Sequence, residues 1–148
     1  MGSRKKTVRD LGDLRGTTVF VRVDFNVPIE GGRITDDTRV RASLPTLEHL
    51  VGGGARVVLA SHLGRPKKGP APELSLKPVA SRLAELLGKP IAMAADCVGP
   101  QVQEAAARLR DGDLLLLENV RFHKEEEAND GPFARALVGD SGATVFVN

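Results

Sequence analysis

Four consecutive leucines, Leu114 to Leu117, stand between Asp113 and Glu118. Neighbouring residues of a strand point to opposite faces, so this run needs apolar cover on both sides. That is the situation of an inner strand in a parallel sheet coated by helices, and a strand is expected over 114–118. Thr17 to Val23 and Arg56 to Ser61 are further β-branched or aliphatic runs of strand length. A weaker strand is expected near Pro90 to Met93, and another over Ala143 to Val147.

Segments of helical period lie between these runs. Val40, Leu44, Leu47 and Val51 recur at spacings of three to four after the potential caps Thr35, Asp36, Asp37 and Thr38, and Gly52-Gly53-Gly54 ends the pattern. Pro45 lies inside it and is expected to kink the helix or cost it a hydrogen bond. Ser75 can cap a second helix carrying Leu76, Val79, Leu83 and Leu86 and closed by Gly88. A third is expected over Val98 to Leu109, and a short one over Phe133 to Val138. Parallel strands need crossovers, and alternating strands and helices supply them. The expected fold is an α/β domain, a Rossmann-like three-layer α/β/α arrangement around a mainly parallel sheet. The strand order is not legible.

Composition narrows the function. The 148 residues give a net charge of +2, with five Phe and no Trp or Tyr, so neither a basic footprint nor stacking rings point to nucleic acid. No apolar run approaches membrane-spanning length. Met1 to Lys6 is basic without an apolar stretch behind it, so neither a signal peptide nor an anchor is expected. The lone Cys97 fits a reducing cytosol, and a cytoplasmic protein is expected.

Parallel sheets bind ligands beyond the carboxyl ends of their strands. There the first strand runs into Asp24-Phe25-Asn26, the second into Ser61-His62-Leu63-Gly64-Arg65, and the leucine strand into Glu118-Asn119-Val120-Arg121. Arg39 follows in the opening turn of the first helix, where a cation opposes the macrodipole by about 0.3–1 kcal/mol. If the sheet is parallel, one rim collects Arg39, His62, Arg65 and Arg121 beside Asp24 and Asn26. Guanidiniums and an imidazole suit phosphate or carboxylate, while Asp and Asn suit hydroxyls. The set describes a receptor for a small, hydroxylated polyanion such as a phosphorylated sugar acid.

Plainer readings stand beside these. Arg65 with Lys67 and Lys68 reads equally well as a solvated basic loop. Asp24 could cap a helix or pair with Arg22, and His62 could be a hydrogen-bonded loop residue. His49 and His123 read as surface residues, and Lys124 to Glu127 as a solvated charge run. Cys97 sits at a helix start, where a thiol pKa can fall, but no companion nucleophile machinery accompanies it and it reads as structural. No glycine fingerprint follows the first strand. Gly64 to Gly69 has P-loop spacing, but Pro70 stands in the lysine position. No zinc-spaced Cys/His cluster or nucleophile elbow is visible, and no metal site is expected.

Val21 to Pro28, Ser61 to Pro66 and Leu117 to Phe122, with Asp37-Thr38-Arg39 and Leu44-Pro45-Thr46 between the first two, resemble the phosphoglycerate kinase family in order and spacing. The resemblance runs from about Val8 to the last residue. It implies reversible phosphoryl transfer between 1,3-bisphosphoglycerate and Mg-ADP, giving 3-phosphoglycerate and Mg-ATP in glycolysis, by a monomer of two α/β domains that close over the substrates. Residues 1–148 would be the N-terminal, substrate-binding domain, incomplete at its C-terminal end. The nucleotide-binding domain, which holds the Mg-ADP or Mg-ATP co-substrate, would be missing, so the fragment alone would bind without catalysing. Asp24 and Asn26 would take the glycerate end, and His62, Arg65 and Arg121 the 3-phosphate. Phe25, Leu63 and Gly64 belong to the same substrate-binding set, and Arg39 would be the catalytic residue. The alternatives are a non-catalytic anion-binding or interaction module on the same fold, and an unrelated nucleotide-binding domain, which the absent glycine fingerprints disfavour.

Overall fold

The computed structural model describes residues 13–64, 72–123 and 131–147. A five-stranded parallel sheet forms its centre, built from β1 (Thr18–Arg22), β4 (Arg56–Ala60), β5 (Ala92–Met93), β6 (Leu114–Leu116) and β7 (Val145–Val147) in the order β5-β6-β4-β1-β7. Among the described residues four helices cover it: α1 (Thr38–Gly52), α2 (Lys77–Leu87), α3 (Pro100–Ala107) and α4 (Gly131–Ser141). The expected three-layer α/β/α architecture is present. No helix among the described residues is long and apolar enough to cross a membrane.

Burial of the leucine run follows the pleat. Leu114 and Leu116 pack with Val40, Leu47 and Leu50 of α1 and Val79 and Leu83 of α2. Leu115 and Leu117 pack on the opposite face with Val102 and Ala106 of α3 and Leu137 of α4. Steps from β1 through β4 to β5 move toward one edge and place their helices on one face. The steps to β6 and β7 move the other way and place theirs opposite, as a fixed crossover hand requires. At the β7 edge Phe146 stays 53% exposed and stacks on Phe20 with ring centroids 5.6 Å apart.

Several expectations shift in detail. Leu50, not Val51, completes the buried stripe of α1, and Leu44 is only half-buried. The helix runs through Pro45 unbroken. Asp37 occupies the N-cap without a side-chain cap bond, because its carboxylate binds Arg41 and Arg82. Asp36 takes over, accepting the Thr38 N–H at 2.9 Å. Ser75 does accept the Lys77 N–H, and Gly88 closes α2 in the left-handed conformation. A small hairpin, β2 (Ile29–Glu30) with β3 (Arg33–Ile34), was not among the expected elements.

Candidate functional site

β6, β4 and β1 lie side by side and end in step, so the segments that follow them share one rim. The ladder continues past the strand ends. Val23 N–H donates to the Ala60 carbonyl, Leu117 N–H to Leu59 and Val120 N–H to Ser61. The parallel sheet on which the sequence reading depended therefore brings Asp24, Asn26, Arg39, His62 and Arg121 to one place. Arg65 lies outside the described residues.

A buried amide organises this rim. Asn119 is 1% exposed. Its Oδ1 accepts the Leu63 N–H at 3.2 Å and the Arg121 N–H at 3.0 Å, and its Nδ2 donates to the carbonyls of Leu63 at 2.8 Å and Leu74 at 3.0 Å. Glu118 completes the frame. Its carboxylate accepts the Leu76 N–H at 2.9 Å and the Ser75 hydroxyl at 2.7 Å, placing negative charge at the N-terminus of α2. The buried Ser61 hydroxyl accepts the Phe25 N–H at 2.9 Å. Phe25 and Leu63 themselves are buried, so they contribute to the rim through their backbone while their side chains fill the core.

Gly64 donates its N–H to Asn26 Oδ1 at 2.9 Å, and its φ of +61° belongs to the left-handed region. A Cβ there would also lie 2.7 Å from Leu74 Cδ2. The side chain can give way, but the backbone strain remains. Gly64→Ala is expected to cost about 1–2 kcal/mol in urea denaturation, and a variant as stable as the parent would contradict this loop geometry.

Arg39 reaches across from α1. Its Nη1 donates to the Asn26 carbonyl at 2.6 Å and stands 3.4 Å from Asp24 Oδ1, while both side chains remain more than half exposed. Asp24 also accepts the Asn26 N–H. Asp24 thus pairs with Arg39, as neither plainer reading of it foresaw.

The charges converge on His62. Burial lowers its pKa first, Arg121 next and Arg22 and Arg39 further, with Asp24 acting in the opposite direction. Burial and the neighbouring Arg121 likewise lower the Arg22 pKa. Arg121 Nε is buried and has no hydrogen-bond partner among the described residues. Cations gathered so that they depress one another form a site whose electrostatic need is an anion. Arg22 was weighed in the sequence only as a partner for Asp24. The available signal was a charge interrupting the apolar run Val19 to Val23, at the end of a covered strand.

The remaining candidates separate from the rim. His49 is exposed on α1. Burial and the adjacent Asp96 raise the Cys97 pKa, so no helix-terminus activation of this thiol applies. His123 is half-buried, with Nε2 2.7 Å from Asp96 Oδ1.

A family model described as phosphoglycerate kinase matches residues 8–148. A phosphoglycerate kinase of Gloeobacter violaceus is 61% identical, covering 97% of this chain and 35% of that protein. One of Chloroherpeton thalassium is 55% identical, covering 98% of this chain and 36% of that protein. The crystal structure of phosphoglycerate kinase from Pyrococcus horikoshii OT3 superposes with a TM-score of 0.75 at 32% identity, over 86% of this chain and 33% of that one. The chain spans about a third of the length of these relatives.

Proposed function

The chain belongs to the phosphoglycerate kinase family, and on that premise we propose that it binds 3-phosphoglycerate, or the acyl phosphate 1,3-bisphosphoglycerate, at the rim described above. In this reading residues 1–148 are the N-terminal substrate-binding domain of a monomeric, cytoplasmic glycolytic kinase. Mg-ADP or Mg-ATP is held by a second domain, and this segment alone binds without turnover.

Asp24 and Asn26 take the glycerate hydroxyl and carboxyl end. His62 and Arg121, with Arg65, take the distal phosphate, and Arg22 adds to the field there. Arg39 meets the reacting carboxyl group. Phosphoryl transfer needs alignment and a fixed positive field more than covalent help from the protein. A guanidinium is a permanent cation, so Arg39 stabilises the charge on the transferring group without moving a proton. The observation that carries the reading is the buried Arg121 Nε, without a hydrogen-bond partner among the described residues, beside His62 and Arg22. A phosphate oxygen would satisfy it.

The test is a ¹⁵N–¹H titration of this chain with 3-phosphoglycerate, with sulfate as the control and the His62 ring followed against pH. Selective shifts at Asp24, Arg39, His62 and Arg121 are expected with 3-phosphoglycerate and weaker ones with sulfate. Equal responses would favour the generic anion module. In the free chain the His62 pKa lies below its ordinary value, mainly through burial. The unfolded chain therefore binds more protons than the folded one as pH falls through about 6.5, and His62 costs stability there. A bound phosphate reverses the balance by raising the His62 pKa. Complex formation should take up protons, and a His62 titration unmoved by ligand would remove it from the phosphate site.

A further inference from the structure

We propose that Asp96, Cys97 and His123 form a binding site for one thiophilic divalent cation of the zinc type. One carboxylate oxygen, Cys97 Sγ and one His123 ring nitrogen all lie within 4.8 Å of one another. Asp96 and Cys97 belong to the segment between β5 and α3, and His123 directly follows the 3₁₀ turn Val120–Phe122. Asp96 and His123 are 27 positions apart in sequence. No local Cys/His spacing could therefore announce the group, and the adjacency of β5 and β6 is what assembles it.

The donor types suit the ion. Zinc takes thiolate, imidazole and carboxylate ligands, whereas magnesium and calcium prefer oxygen alone. Ordinary zinc–ligand distances in a tetrahedron put neighbouring donor atoms roughly 3.3–3.6 Å apart. Reaching it requires the 2.7 Å contact between Asp96 and His123 to open and donor atoms that lie up to 4.8 Å apart to close by as much as about 1.5 Å. Burial of Cys97 shields the sulfur, while the half-buried Asp96 and His123 leave one side open for entry and for a water as fourth ligand. The Asp96 carboxylate is already oriented by the Cys97 N–H at 2.6 Å, the kind of supporting bond that fixes a metal ligand. A structural bond between Asp96 and His123 needs no thiol. The thiol in turn bonds the Asp96 carboxylate, which holds the sulfur within reach of both other ligand atoms.

Proton balance accompanies binding. Without a cation, burial and Asp96 keep the Cys97 thiol protonated. The cation displaces that proton to solvent, and its positive charge holds the thiolate beside the carboxylate. The His123 nitrogen facing Asp96 must present its lone pair. A neutral ring moves its proton to Nδ1, and a protonated ring releases one.

The experiment titrates the chain with Zn²⁺ against a chromophoric chelator and then substitutes Co²⁺, whose thiolate charge-transfer band reports Cys97 directly. One equivalent of Zn²⁺ and a cobalt band are expected. Cys97→Ser should abolish the band, and Cys97→Ser and His123→Gln should each weaken Zn²⁺ binding by at least about tenfold. His49→Gln on α1 should change nothing. Circular dichroism checks folding, and the half-buried His123 supplies the milder variant if Cys97→Ser disturbs the core. A folded parent that takes up no Zn²⁺, or uptake that survives either substitution, overturns the site.

Discussion

An Asn119→Ala variant of this chain is expected to lose about 3–5 kcal/mol of folding stability, a large share of what a domain of this size possesses. The side chain is 1% exposed and satisfies four backbone groups, the N–H and carbonyl of Leu63, the carbonyl of Leu74 and the N–H of Arg121. Each buried polar group left without a partner costs roughly 1–3 kcal/mol, reduced where water can enter from the rim. Asn119→Asp makes a sharper comparison. It keeps an acceptor for Leu63 and Arg121, loses both donated bonds and adds an unpaired charge to a buried position, so it should be at least as damaging. Urea denaturation gives the answer as a shift in midpoint at constant slope. A loss below about 1 kcal/mol for the alanine variant would show that the loops hold their positions without this amide.

That amide also marks the limit of what the sequence disclosed. Asn119 stood in a visible polar segment, but three of its four bonds run to backbone groups on two other segments, and a backbone group has no signature in sequence. Arg22 was passed over for a related reason. Its meaning comes from Arg121 and His62, which only the side-by-side order of β1, β4 and β6 brings near. Burial periodicity tells a strand how many faces are covered and nothing about its neighbours.

The elements that were legible are those whose own chain encodes them. Leu114 to Leu117 predicted cover on both faces, and the structure supplies α1 and α2 on one side and α3 and α4 on the other. α4 shows the opposite case. The sequence supports a helix only over Phe133 to Val138, because Gly139 and Asp140 are poor helix residues. The structure extends it from Gly131 to Ser141. Near its end, Asp140 accepts the Gly99 N–H at 2.7 Å and the Gln103 amide at 2.8 Å, and these tertiary bonds outweigh local propensity. The β2–β3 hairpin has strands of two residues, too short for any period. Its only signal was Gly31-Gly32, both with positive φ as a tight two-residue turn requires.

Arg39→Ala, in a kinase of full family length carrying this segment, is expected to lower kcat by roughly 10²–10³-fold while changing KM for phosphoglycerate by less than about tenfold. The reasoning begins with what holds the guanidinium. A 2.6 Å bond from Nη1 to the Asn26 carbonyl and the flanking Asp24 aim it at the rim. With half of its side chain exposed, it can still meet a ligand. Its structural worth is small. As a cation in the first turn of α1 it opposes the helix dipole by about 0.3–1 kcal/mol, and an exposed pair with Asp24 returns a similar amount. The substitution should therefore leave stability within about 1 kcal/mol of the parent, so a large fall in kcat could not be attributed to unfolding. Arg39→Lys separates charge from geometry. It keeps a cation but cannot donate two parallel hydrogen bonds to a phosphoryl or carboxyl group, so only partial recovery of kcat is expected. A loss confined to KM would make Arg39 a uniform binding group. Full activity in the lysine variant would mean that positive charge alone is required, and the fixed direction of the guanidinium would lose its role.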